Sequence, residues 1–147
     1  MFSGSYEHSL DAKGRIIIPA QFREKLGDAF YISKGLDHNL CVYPSDEWES
    51  FVEQLSKLPS LDARARSLQR FMVSGAVKVL PDKQGRVLIP TNLRDYANLD
   101  KDCLFVGDIK KVEIWNKSQF ESDMDDIDPV ALANDLGQQY DLSGFTF

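Results

Sequence analysis

The sequence predicts an α+β fold with a mainly β core, in which two tandem copies of one small module together close a small β-barrel flanked by helices. Three observations lead to this expectation: a nine-residue motif occurs twice, short alternating or aliphatic runs surround each copy of it, and helical patterns lie between and after the copies. A lone hairpin is only marginally stable in water, so two modules in one chain are expected to supply strands to each other.

The repeat is the main support for this fold. Residues 11–19 and 82–90 both read Asp-x-x-Gly-Arg, then three aliphatic residues, then proline, and Arg23 and Arg94 follow at the same distance beyond the prolines. The correspondence continues for about 40 residues downstream, after a one-residue insertion, with apolar character preserved. Agreement over this length indicates a duplicated module.

Each copy predicts a strand, a tight turn and a second strand. Residues 6–10 and 76–80 alternate as half-buried strands do. In the turn that follows, an aspartate accepts backbone N–H groups and a glycine supplies the positive φ of a hairpin bulge. The aliphatic runs 16–18 and 87–89 then predict strands that are buried on both faces. The turn-shaping residues are Asp11 and Gly14 in the first copy and Asp82 and Gly85 in the second.

Short helices and further strands complete each copy. Pro19 and Pro90 end the aliphatic strands and are expected in the first turn of a helix that ends near Gly27 or Leu99. Further strands are predicted at residues 30–33, 40–43, 103–106 and 112–115.

Helical patterns also lie between and after the copies. Ser45 is the expected N-cap of a helix over residues 46–57, and a second helix is expected over residues 61–72. Beyond the second copy, residues 118–125 predict a helix, and the Asp-Pro pair at residues 128–129 is typical of the start of another.

Charge and composition restrict the classes of partner. The net charge of −6 argues at first sight against nucleic acid, but residues 64–94 carry seven basic side chains and one acidic one. No apolar run approaches the roughly 20 residues of a membrane span, and the first residues lack signal-peptide features, so we expect a cytoplasmic protein without membrane contact. Cys41 and Cys103 are then expected to be buried thiols.

The repeated turn is the candidate functional site. It places Lys13 and Arg15 in the first copy, and Lys83 and Arg86 in the second, at or beside a hairpin tip. A two-stranded β-ribbon can enter the DNA major groove, where the planar fork of arginine binds guanine edges or phosphate. The residues alone also allow a solvated turn in which aspartate and arginine only pair with each other.

No catalytic or metal-binding constellation emerges from the remaining residues. His8 and His38 have no serine or cysteine partner at a recognisable spacing. The acidic run over residues 123–128 lacks the glycine and the closing glutamate of a calcium loop, and no glycine-rich phosphate loop is present. We therefore expect a protein that is not an enzyme and that has no cofactor, no metal site and no small-molecule substrate.

The opening Met-Phe-x-Gly, the doubled Asp-x-x-Gly-Arg motif with its aliphatic residues and proline, and the length together resemble the MraZ family, which is related to the AbrB group of swapped-hairpin DNA-binding proteins. The resemblance covers essentially the whole chain. It implies a swapped-hairpin, double-split β-barrel made by the two halves, and assembly into a ring-like homo-oligomer near the size of an octamer.

The same resemblance implies the target and the contacting residues. The expected ligand is double-stranded DNA carrying short direct repeats, in the promoter of the cell-division and cell-wall gene cluster and often before the protein's own gene, which implies association with the nucleoid. The DNA contact falls on Arg15 and Arg86, with Lys13 as a helper. The second copy has Gln84 in place of Lys13, although Lys83 is adjacent, so the two copies are expected to contact DNA unequally.

We accordingly divide the chain into a first module (1–58), a linking helix (59–75), a second module (76–125), and a C-terminal helix and tail (126–147), with the two modules forming one compact unit. The alternative function is that of an AbrB-like antitoxin or a protein-binding module whose turns contact another protein and do not recognise a DNA sequence.

Overall fold

The computed structural model describes residues 1–147 and contains eight strands and six helices. The elements of the first half are β1 (Ser5–Ser9), β2 (Arg15–Ile17), α1 (Ala20–Leu26), β3 (Phe30–Lys34), β4 (Leu40–Pro44), α2 (Ser45–Ser56) and α3 (Ala63–Ser74). Those of the second half are β5 (Val77–Val79), β6 (Arg86–Leu88), α4 (Thr91–Tyr96), β7 (Asp102–Asp108), β8 (Lys111–Asn116), α5 (Lys117–Asp125) and α6 (Pro129–Gln139). Two compact units result, Met1–Lys117 and Ser118–Phe147.

The strands of the first unit form two antiparallel sheets in which the repeats exchange strands. The six-stranded sheet has the order β1-β7-β8-β4-β3-β5, and β2 pairs with β6 in a separate two-stranded sheet. Strand β1 of the first repeat pairs with β7 of the second, and β5 of the second pairs with β3 of the first. If each strand is replaced by its counterpart in the other repeat, the same strand order results, read from the opposite edge of the sheet. The strand order therefore has an approximate two-fold symmetry. The expected α+β class with a mainly β core is confirmed, and all of the strand pairs are antiparallel.

Strand β2 and strand β6 form a ribbon, which we call the β2–β6 ribbon. Ile16 lies opposite Val87 at its centre, Arg15 lies opposite Leu88, and Ile17 lies opposite Arg86. The ribbon therefore consists of equivalent positions from the two repeats, and the two turns that precede its strands lie at its opposite ends.

One large apolar core is formed by the strands and helices of the first unit. Its fully buried members come from both repeats and include Ile16, Ile18, Phe30, Ile32, Leu40, Val42, Ile89, Leu93, Phe105, Val112 and Ile114. A second cluster packs helix α2 on the sheet through Trp48, whose ring stacks on Tyr31 at 5.4 Å between centroids and also contacts Tyr43. The apolar residues of α2 thus serve packing.

The expectation that the aliphatic runs are buried on both faces is wrong. Ile16 and Val87 are 1% and 3% exposed, whereas Ile17 and Leu88 between their buried neighbours are 38% and 57% exposed. The reason is that only one face of the β2–β6 ribbon packs on the core, and successive side chains of a strand point to opposite faces. An aliphatic run alone does not distinguish the two cases.

Two expected helix starts also differ. Pro19 and Pro90 occupy the N-cap position itself, with extended ψ values of 133° and 150°, one residue before the first helical turn. Ser45 is the first residue of α2, after the N-cap Pro44, and its hydroxyl donates a 2.8 Å hydrogen bond to the carbonyl of Ala29. The hydroxyl of Ser45 therefore bonds the loop before β3 and does not cap the helix.

The second unit consists of α5 from Ser118 onward, helix α6 and the residues after it. Asp128 is the N-cap of α6 and its carboxylate accepts the N–H of Ala131 at 3.2 Å, with Pro129 next to it, as the sequence predicts. No helix of the protein combines the length and the apolar character that crossing a bilayer requires.

Candidate nucleic-acid interface

The first motif folds into a turn built around Asp11. The N–H of Gly14 donates to the Asp11 carbonyl at 3.0 Å, and Gly14 has a φ of +81°, a value that glycine adopts without the strain of a side chain. One carboxylate oxygen of Asp11 accepts the backbone N–H groups of Lys13 and Arg15 at 2.9 and 2.8 Å. The other accepts the Arg15 Nε at 2.9 Å. One carboxylate therefore fixes both the turn and the arginine.

The second motif has the same geometry. Asp82 accepts the backbone N–H groups of Gln84 and Arg86 at 2.9 and 3.0 Å, and the Arg86 Nε at 2.8 Å. Gly85 has a φ of +79°. The pKa of each aspartate is lowered, mainly by a backbone N–H: that of Arg86 bonds Asp82, and that of Arg15 bonds Asp11. Both carboxylates are thus ionised at neutral pH.

The pairing of aspartate with arginine does not use up the guanidinium. Arginine has five N–H donors, and the bond to the aspartate uses only the one on Nε. The side chains of Arg15 and Arg86 are 34% and 30% exposed. Each guanidinium therefore keeps the pair of terminal nitrogens that can bind a guanine edge or a phosphate.

The turns are not the tips of ordinary two-stranded hairpins. Strands β1 and β2, which flank the first turn, form no ladder with each other, because β1 pairs with β7 and β2 pairs with β6. The turn is instead bonded to the second repeat, whose Ile89 N–H donates to the Gly14 carbonyl at 2.9 Å. The reciprocal bond runs from the Ile18 N–H to the Gly85 carbonyl, also at 2.9 Å.

An arginine from each repeat covers the turn of the other. A Cβ atom added to Gly14 would lie 2.7 Å from the Cζ of Arg94, and one added to Gly85 would lie 2.5 Å from the Cζ of Arg23. Arg94 Nη2 donates to Thr91 Oγ1 at 2.9 Å, and Arg23 Nη2 donates to the Ile18 carbonyl at 2.8 Å. The Nε of each is buried without a partner. The sequence matched these two arginines but gave no sign that they cross between repeats.

The β2–β6 ribbon brings the two motif arginines onto one surface. Arg15 and Ile17 of β2 share a face with Arg86 and Leu88 of β6, opposite the buried Ile16–Val87 pair. We call these four side chains the outer-face quartet. Lys13 and Lys83 are exposed in the two turns, at opposite ends of the ribbon. Of the four basic residues selected from the sequence, the fold thus joins the arginines and separates the lysines.

The histidines and cysteines, which could serve catalysis or metal binding, pack within the structure. The ring of His8 packs edge-on against Phe105, and that of His38 stacks on Tyr96 at 5.1 Å between centroids. Both cysteines are free and buried, and burial raises the pKa of the Cys41 and Cys103 thiols to about 11, which keeps them un-ionised. No group of three or more potential metal ligands is present.

Fold and site together define a duplicated α+β protein whose halves exchange strands and whose two aspartate-anchored arginine turns flank one ribbon. The MraZ family, whose description adds a likeness to antitoxins, matches residues 1–71 and again residues 72–131. The chain belongs to the MraZ family. The two matches divide it near the boundary between the repeats.

Several relatives are named transcriptional regulator MraZ. The one from Lachnoclostridium phytofermentans is 53% identical over 132 residues, which cover 89% of this chain and 93% of the relative. That from Desulfitobacterium hafniense strain DCB-2 is 53% identical, covering 80% and 82%, and that from Caldanaerobacter subterraneus is 50% identical, covering 82% and 85%. These names describe regulators, so membership of this family confirms the expectation that the chain is not an enzyme.

Proposed function

We propose that this protein is a transcriptional regulator that binds double-stranded DNA in a sequence-specific manner. The observation that carries the proposal is the pair Arg15 and Arg86: both are held by an aspartate through Nε, both lie on one exposed ribbon face, and both keep their terminal nitrogens free. The names of the relatives support a role in transcription.

In this proposal the ribbon face enters the major groove, and the terminal nitrogens of Arg15 and Arg86 bind the O6 and N7 atoms of guanine. Asp11 and Asp82 hold the guanidinium groups in place before DNA arrives, which reduces the side-chain entropy lost on binding. Lys13 and Lys83, at the ends of the ribbon, contact phosphates and set the register. Gly14 and Gly85 allow the tight turns.

The strand exchange between repeats supports a swapped-hairpin, double-split β-barrel formed by the modules 1–58 and 76–125, with 59–75 as the linking helix and 126–147 as C-terminal helix and tail. We further propose a ring-like homo-oligomer near the size of an octamer, as the resemblance implies. Linked sites gain roughly 10²–10⁴ in avidity when they bind together, which compensates for the small basic surface of one chain with a net charge of −6.

The proposed target is a set of short direct repeats in the promoter of the cell-division and cell-wall gene cluster, including the protein's own gene. The protein would then act in the cytoplasm, on the nucleoid. Family membership supports this assignment.

The experiment is a binding titration at several salt concentrations. One labelled duplex comes from upstream of the protein's own gene, and the other has the same base composition in scrambled order. We expect tighter binding to the first, and a linear fall of log affinity with log salt because phosphate contacts release counterions, with a slope of about −0.9 per contact. Equal affinity for both duplexes, or affinity that salt hardly changes, would contradict the proposal.

The second candidate function is a protein-binding module, favoured by the likeness to antitoxins in the family description. In that case the turns contact a partner protein, and Arg15→Ala abolishes binding of that partner. Neither of the two duplexes is then bound by the wild-type protein. The titration above separates the two, since the second candidate predicts no sequence-dependent binding at any salt concentration.

A further inference from the structure

We propose that Ile17 and Leu88 read the methyl groups of thymines that lie beside the guanines bound by Arg15 and Arg86. This inference rests on the proposed DNA-binding function and adds the second base type that the ribbon recognises. The aliphatic pair is then part of the recognition surface, in addition to its place in the fold.

Ile17 and Leu88 lie beside both motif arginines. In the outer-face quartet, Arg15 is opposite Leu88 and Arg86 is opposite Ile17, and each arginine is two residues from the aliphatic side chain on its own strand. Each aliphatic side chain thus adjoins both arginines, one across the ribbon and one along the strand. When this face presents the arginines to base edges, the aliphatic side chains face the same groove.

Both aliphatic side chains are also exposed to solvent. Ile17 and Leu88 are 38% and 57% exposed, although the neighbouring Ile16 and Val87 are almost completely buried. Their equivalent positions on the two-fold ribbon leave two large aliphatic side chains in the middle of a basic surface, where burying them against a partner's apolar surface would be favourable. In the major groove that surface is the C5-methyl group of thymine.

Charge identifies DNA as the partner in preference to a second copy of the same face. The quartet contains two arginines, and Lys13 and Lys83 flank it. Two copies of this face in contact would oppose like charges, whereas the phosphates of a duplex complement them. The apolar pair within a basic surface therefore fits DNA.

Spacing predicts where the thymines lie. Residues two apart on a strand are separated by about 6.6 Å, and paired residues across the ribbon by about 5 Å. Successive bases of one strand rise by 3.4 Å, so a thymine is expected about one or two base pairs from each guanine.

The test replaces single thymines by deoxyuridine, which removes only the methyl group. Within the stretch of upstream duplex that the wild-type protein protects, each thymine is replaced in turn and the affinity is measured. We expect a three- to fourfold loss at particular thymines, the effect of removing about 0.8 kcal/mol for one buried methyl group. No variant is required for this part, so a folding defect cannot account for the result.

Leu88→Ala and Ile17→Ala then assign the contacts. At a thymine read by Leu88, the deoxyuridine substitution should change the affinity of Leu88→Ala by less than about 1.5-fold, because the contact is already missing. Leu61→Ala is the control, since Leu61 is also exposed but belongs to the segment between α2 and α3. It should keep the full wild-type response.

The outcomes separate this inference from the proposed function. Wild-type binding that no deoxyuridine changes, or sensitivity that persists in both aliphatic variants, overturns the thymine readout while DNA binding stands. Absence of sequence-dependent binding by the wild-type protein overturns the proposed function, and the thymine readout with it.

Discussion

The crossed packing of Arg94 on Gly14 makes a quantitative prediction about Gly14→Ala. An alanine at a φ of +81° costs roughly 1–2 kcal/mol. Its Cβ would also lie 2.7 Å from the Arg94 Cζ, so the guanidinium must move and lose its bond to Thr91 Oγ1, a further ~1 kcal/mol. We expect Gly14→Ala to lower the free energy of unfolding by about 2–3 kcal/mol.

The two contributions can be separated by a double-mutant cycle. In an Arg94→Ala background the steric part is absent, so Gly14→Ala should cost only the backbone part, which is ~1 kcal/mol less than in the wild type. The matched control is the Arg23→Ala background, because Arg23 covers Gly85, whereas the three atoms nearest to a Cβ on Gly14 all belong to Arg94. There the cost of Gly14→Ala should equal the wild-type cost.

Urea denaturation at one protein concentration measures all of these variants, since oligomers change stability with concentration. A coupling between Gly14 and Arg94 that is within about 0.3 kcal/mol of zero would refute the crossed packing. A coupling of the same size between Gly14 and Arg23 would refute the assignment of each arginine to the other repeat's turn.

Three further predictions use the same denaturation assay. The pKa of Asp11 is lowered below its ordinary 3.8, mainly by the N–H of Arg15. The stability that the ionised carboxylate contributes is therefore present above pH 3.8 and is lost as pH falls through the lowered pKa. Asp11→Asn should reduce this acid-induced loss of the free energy of unfolding. Burial raises the pKa of Glu113 above 4.5. The stability that its protonated side chain contributes is therefore fully present below pH 4.5 and is lost as pH rises through the raised pKa. Glu113→Gln should gain stability relative to the wild type between pH 4.5 and 7, and a stability difference that does not change with pH would contradict this. Ile32→Ala, at a fully buried position, should cost about 2–5 kcal/mol, and a value near that of the exposed Ile17→Ala would contradict the described core.

The local parts of the structure could be predicted from the sequence because they depend on neighbouring residues. The turn from Asp11 to Gly14 is an example, since one carboxylate bonds backbone groups only two and four residues away. The N-cap at Asp128 is another, because its bond is to Ala131. The repeat then extended the first prediction to Asp82 and Gly85 with the same result.

The parts that could not be predicted depend on partners distant in the chain. The residues of β1 alternate in the same way whether their partner is β2 or β7, so the exchange between repeats has no local signal. The three aliphatic residues before Pro19 are compatible with burial on one face or on two, and only the packing of the ribbon decides this. Ser45 fits an N-cap pattern, but a hydroxyl bonds whichever carbonyl lies near, here that of Ala29.

The candidate site shows the same division. Arg15 and Arg86 follow from the motif, and their aspartate partners are local. That they share one ribbon face with Ile17 and Leu88 follows from the register between β2 and β6, which pairs residues 69 to 73 positions apart in the chain. Arg23 and Arg94 were visible as a matched pair, but only the fold assigns each to a turn.

The most direct test of DNA recognition by the β2–β6 ribbon is the affinity of Arg15→Ala and Arg86→Ala for the duplex from upstream of the protein's own gene. The control is Arg64→Ala, because Arg64 is also paired with an aspartate, Asp62, but lies in helix α3. We expect each motif variant to lose at least about fivefold in affinity, because a bidentate arginine contact worth about 1–3 kcal/mol is removed, while the control binds as the wild type does. Equal affinity of all three variants and the wild type would contradict this recognition.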